Sequence, residues 1–93
     1  MNNSQLQKIS SNLQKSFLKL KTSNQVFNFL RDLLTEDEII EFSQRLEIAT
    51  QLYQWQNYKE IEKSTWASST TIARVAKFLK WELGWYKSIF KYN

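Results

Sequence analysis

Apolar residues in this chain recur at intervals of three and four almost from end to end, the period of an amphipathic helix rather than of a strand. Leu6, Ile9, Leu13, Phe17 and Leu20 form one stripe, and Val26, Phe27, Leu30, Leu33 and Leu34 form a second. Thr35 followed by Glu38 has the form of a capping box. Glu36 and Asp37 add negative charge to the first turn of the third helix that it opens. The buried side of that helix is expected to carry Ile39, Phe42, Leu46, Ala49 and Tyr53. Asn57 and Glu60 repeat the capping pattern before a short fourth helix over about 58–64. A fifth helix is predicted from about 68 to 80 and a sixth from about 83 to 92. The expected fold is therefore all-α, six helices in a single domain over 1–93.

Composition narrows what such a domain can do. The 93 residues include no cysteine and no histidine. Disulfides and thiolate metal sites are thereby excluded, and the usual zinc ligands and the commonest general base are missing. No apolar run approaches the ~20 residues of a membrane span, and the start MNNSQLQK has no signal-peptide core. A cytoplasmic, non-enzymatic protein without cofactor or metal is expected. The carboxylates Glu36, Asp37, Glu38 and Glu41 read as ordinary end-of-helix electrostatics, with nothing nearby to orient them for acid–base work.

Charge placement adds more than the net value of +4. Residues 1–52 carry six Lys/Arg and six Asp/Glu, whereas residues 53–93 carry seven and three. Between Lys63 and Lys80 there are four basic residues and no acidic one. A local positive field of this kind favours polyanions, because binding neutralises phosphates and releases their counterions. A solvated, lysine-rich helix face would share that composition.

The segment YKEIEKSTWASSTTIARVAKFLK (58–80) has the layout of a helix-turn-helix. Ile61 of the short helix points inward, a tight turn passes through 65–67, and Ile72, Val75, Ala76 and Leu79 share one face of the longer helix. At 100° per residue, Thr70, Arg74 and Lys77 lie opposite, with Ser68, Ser69 and Thr71 at the exposed start. Hydroxyls can bond phosphates and base edges, arginine can pair bidentately with guanine, and lysine can anchor the backbone. An ordinary helical hairpin whose polar face meets water has the same periodicity.

The blocks LRDLLTEDEIIEFSQRLEIATQL, NYKEIEKST and ASSTTIARV, in that order, resemble the trp repressor superfamily, and within it the YerC/YecD branch. The resemblance covers roughly 27–86. It implies a six-helix subunit that intertwines with a second copy and binds operator DNA. The two N-terminal stripes, more apolar surface than one small subunit can readily cover, predict that the dimer is held by its first three helices. The resemblance places Ser68, Ser69, Thr70, Thr71 and Arg74 in the recognition helix, and Lys59 and Lys63 in the helix before it. Two features depart from the family. The arginine that meets the carboxylate of a tryptophan corepressor aligns with Glu47, and the glycine that leaves room for the indole aligns with Val75, so a tryptophan corepressor is not expected. Arg45 and Arg74 leave open another anionic effector.

The second departure concerns tryptophan. Trp55, Trp66 and Trp85 stand where the family pattern has glycine, at chain turns that favour φ > 0, and Trp81 lies in the same glycine-rich stretch. UGA codons that mean glycine in the source organism, translated here as tryptophan, explain the coincidence. A divergent member using tryptophans as apolar anchors is the alternative. For function, the expectation is a dimeric transcriptional regulator, a repressor, reading the major groove of duplex DNA with the helix 68–80. A replication-initiator-type DNA-binding domain and a helical protein-interaction module with exposed aromatics remain the alternatives.

Overall fold

The computed structural model describes residues 1–80 and 85–91. All regular elements among the described residues are helices: α1 (Asn3–Ile9), α2 (Ser11–Leu18), α3 (Ser23–Leu33), α4 (Glu36–Tyr53), α5 (Tyr58–Thr65), α6 (Ser69–Lys80) and α7 (Trp85–Lys91). Of these, none is long and apolar enough to cross a membrane. The chain divides into two compact units, Met1–Glu36 and Asp37–Asn93.

In the first unit, the stripe expected to form one helix is shared by two. A reciprocal capping box opens α1: Asn2 Oδ1 accepts from the Gln5 N–H, and Gln5 Oε1 accepts from the Asn2 N–H, both at 2.9 Å. At the other end the Ser10 hydroxyl donates back to the Leu6 carbonyl at 2.7 Å. The chain leaves helical geometry at Ser10 (φ −92°, ψ 8°) before α2 starts. Thr22 caps α3 by accepting from the Gln25 N–H at 3.1 Å. Phe17 and Phe29 meet edge to face, 5.3 Å between centroids. Yet no residue of α1, α2 or α3 is buried. Leu6 and Ile9 of the first predicted stripe and Phe27 of the second are each more than half exposed among the described residues.

The second unit holds the core. Ile48 and Ala49 from α4, Ile61 from α5, Ala67, and Ile72 and Val75 from α6 are buried together, and Leu52, Tyr86 and Phe90 pack against them. Here the expected buried side of α4 is displaced. Ala49 is buried and Ile39 half-buried, but Phe42, Leu46 and Tyr53 are exposed, because the core takes the Ile48–Ala49–Leu52 side. Tyr53 instead lies against Phe90 of α7 at 5.1 Å between ring centroids. Of the predicted sixth helix over 83–92, Leu83, Gly84 and Tyr92 lie outside the described residues, as does Trp81.

Candidate nucleic-acid interface

The helix-turn-helix of α5 and α6 is fixed by a small set of polar contacts on its connecting turn. Asn57 Oδ1 caps α5 by accepting from the Glu60 N–H at 2.9 Å, as its sequence predicts. Where α5 ends, the buried Thr65 hydroxyl donates to the Ile61 carbonyl at 2.6 Å and accepts from the Ala67 N–H at 3.3 Å. The Thr65 carbonyl accepts from Gln44 Nε2 of α4 at 2.8 Å, and the Ser64 hydroxyl donates to Gln51 Oε1 at 2.9 Å. Two side chains of α4 therefore hold the end of α5 in place. Trp66 closes that helix in the left-handed region, φ 63° and ψ 13°, with its N–H donated to the Glu62 carbonyl.

Beyond the turn, α6 sorts its faces as the periodicity predicts. Ile72, Val75, Ala76 and Leu79 are buried, and Ile72 wholly so. Ser68, Ser69, Thr70, Arg74 and Lys77 are exposed, and Thr71 is half-buried. The hydroxyls divide into two groups. Ser68 Oγ accepts from the Thr71 N–H at 3.2 Å and lies 3.1 Å from Thr71 Oγ1, so this pair caps the helix. Ser69 and Thr70 present theirs on the exposed first turn. Lys59 and Lys63, one turn apart on α5, line an open concavity of about 530 Å³ with Glu60, Glu62 and Trp66. Their positive charge is thus tempered by two carboxylates. Among the described residues no group of three or more acidic side chains is placed to hold a metal ion.

A second concavity, of about 390 Å³, opens beside α6. Glu41, Gln44 and Arg45 of α4, Thr71, Arg74, Val75 and Phe78 of α6, and Tyr86 of α7 line it. Arg45 and Arg74 thus face one cleft, as two arginines suited to an anion would. Glu41, however, accepts from Arg45 at 2.5 Å, and the Arg45 guanidinium also sits 5.5 Å from the Phe42 ring centroid. Glu47, aligned above with the corepressor-binding arginine, does not line the cleft. It accepts a bond from Gln51 at 3.1 Å along the helix, and Arg45 and Glu41 occupy the wall instead. Val75 lines it too. Gln44, Phe78 and Tyr86 were not singled out in the sequence, since only the packing of three separate helices brings them together.

An α5–turn–α6 pair with a hydroxyl- and arginine-bearing outer face, carried on a further long helix, defines a helix-turn-helix protein. The family model described as Trp repressor protein matches residues 6–93, and the chain belongs to that family, one of DNA-binding regulators and not of enzymes. The uncharacterized protein YerC of Bacillus subtilis (strain 168) is 41% identical over 69 residues, which are 74% of this chain and 66% of YerC. Among solved structures, a candidate Trp repressor from Staphylococcus aureus superposes with a TM-score of 0.88 at 33% identity, over 96% of this chain and 90% of that one. A TrpR-like protein from Eubacterium eligens gives 0.90 at 32% identity, over 97% and 93%.

Proposed function

We propose that this protein is a sequence-specific DNA-binding transcription regulator, a repressor, that acts as a homodimer. The observation that carries the reading is the division of α6. Its buried face is wholly apolar, and its outer face offers Ser69, Thr70, Arg74 and Lys77. In this reading Arg74 contacts a base edge, Ser69 and Thr70 meet the DNA at the leading end of the helix, and Lys59, Lys63 and Lys77 neutralise phosphates. Ser68 and Thr71 act indirectly, by holding the first turn of α6 in the shape that enters the groove.

The uncovered apolar side chains of α1 to α3 support a second copy as the partner. A two-fold dimer would bury them and set two α6 helices about 34 Å apart, one turn of DNA, over a near-palindrome. We further propose that binding does not require tryptophan. Val75 occupies the cleft wall, and Glu41 places a carboxylate where an amino acid's own carboxylate would have to approach Arg45. Selection of tight-binding duplexes from a random pool, with no tryptophan present, tests the whole reading. Paired half-sites about 10 base pairs apart are expected. A pool that shows no enrichment refutes it.

A further inference from the structure

Among the described residues, two that are not glycine adopt positive φ, and both are tryptophan: Trp55 at 66° and Trp66 at 63°. The left-handed region crowds Cβ against the following carbonyl, and bulky side chains are rare there. Both positions end helices in motifs that glycine normally closes. After α4, the Gln56 N–H donates to the Gln51 carbonyl and the Trp55 N–H to the Leu52 carbonyl, each at 3.0 Å, the double bond pattern of a Schellman ending. After α5, the single Trp66 N–H bond to the Glu62 carbonyl, 3.0 Å, is the simpler left-handed ending.

A large side chain persists in such a conformation when packing compensates for the strain. Here nothing does. Trp55 is 93% exposed and Trp66 91% exposed, so neither indole gains burial. The chain has four tryptophans and one glycine. If the tryptophans were scattered at random, both left-handed positions would fall on them on the order of once in a thousand chains, and a positive φ is a genuine outlier for a bulky residue even at one position. Trp85, by contrast, begins α7 and is not a positive-φ residue, so the geometry singles out positions 55 and 66.

We infer that positions 55 and 66 are glycine in the protein its own cell makes, UGA there being read as glycine where this sequence has tryptophan. The consequence reaches the DNA-facing surface. Position 66 lies in the turn of the helix-turn-helix beside Lys59 and Lys63, where an exposed indole stands among the groups assigned above to phosphate. Glycine removes that obstruction as well as the strain.

Two measurements test this independently of DNA binding. In the first, thermal unfolding compares the chain as written with the pair Trp55→Gly and Trp66→Gly, and with the pair Trp55→Ala and Trp66→Ala. The glycine pair should melt roughly 5–15 °C higher than the chain as written, and the alanine pair below the glycine pair, since alanine keeps the Cβ. A glycine pair that melts no higher than the tryptophan chain, or no higher than the alanine pair, overturns the inference. In the second, tryptic peptides 46–59 and 64–74 of the protein isolated from its source cells are weighed. Masses lacking both indoles are expected, and tryptophan at either position refutes the assignment there.

Discussion

Replacing Gln44 should unseat the helix-turn-helix from α4 without touching its outer face. Gln44 Nε2 donates to the Thr65 carbonyl across 21 residues of sequence at 2.8 Å, in a partly buried setting. Thr65 is itself buried and ends α5, so its carbonyl has little access to water once the amide is gone. Leaving a buried acceptor unsatisfied costs about 1–3 kcal/mol. For a domain of this size each kcal/mol moves the melting midpoint by roughly 4–8 °C, so Gln44→Ala should lower it by about 4–24 °C. Gln44→Met separates the hydrogen bond from packing, because it keeps most of the volume and has no donor. Thermal unfolding by circular dichroism should find Gln44→Met destabilised nearly as much as Gln44→Ala. If Gln44→Met melts with the unsubstituted chain, the bond contributes nothing and the position of α5 is set by Ile61 and its neighbours alone.

Helix spacing was legible wherever the chain buries its own apolar face. In α6 the face of Ile72, Val75, Ala76 and Leu79 follows directly from residue spacing, and Ile61 is buried as its period requires. Spacing is ambiguous where the break is local or where a helix carries apolar residues on more than one side. At Ser10 the chain leaves helical geometry and divides the first stripe between two helices, a break that hydrophobic period cannot register. Along α4, apolar residues lie on both sides, and only the docking of α5 and α6 decides that Ile48 and Ala49 go inside while Phe42 and Leu46 stay out.

The candidate interface divides in the same way. Exposure of Arg74, Lys77, Ser69 and Thr70 could be read from period alone, because it is the complement of the buried face. That Ser68 and Thr71 pair with each other was not legible, since hydroxyls at the start of a helix suit capping and DNA equally. Glu47 does not line the cleft beside α6. A shift of two residues along a helix turns a side chain by about 200°, and the wall is built by Glu41 and Arg45 instead.

The remaining predictions concern the core, the dimer, the effector and the DNA contacts. Ile61→Ala opens a cavity at a fully buried site and should cost about 2–5 kcal/mol, seen as a lower urea midpoint at unchanged slope. Sedimentation at micromolar concentration should give twice the 11.2 kDa chain mass; a monomer that DNA does not pair would refute the dimer. Free tryptophan should leave the affinity for a selected duplex unchanged, and a tenfold tightening would contradict the reading of Val75 and Glu41. The DNA contacts themselves should separate into specificity and affinity. Arg74→Ala should weaken binding to the preferred site by about 1–3 kcal/mol and relax the preference at one base position, because the lost partner is a base edge. Lys63→Ala should weaken binding to every duplex alike and flatten the dependence of log affinity on log salt by about one unit, because the lost partner is a phosphate. Arg74 also lines the cleft beside Arg45, so its effect counts as DNA contact only if the Arg74→Ala melting midpoint is unchanged. Salt titrations on a preferred and a scrambled duplex then decide: if Arg74→Ala lowers both affinities equally, Arg74 reads no base, and α6 does not dock through that face.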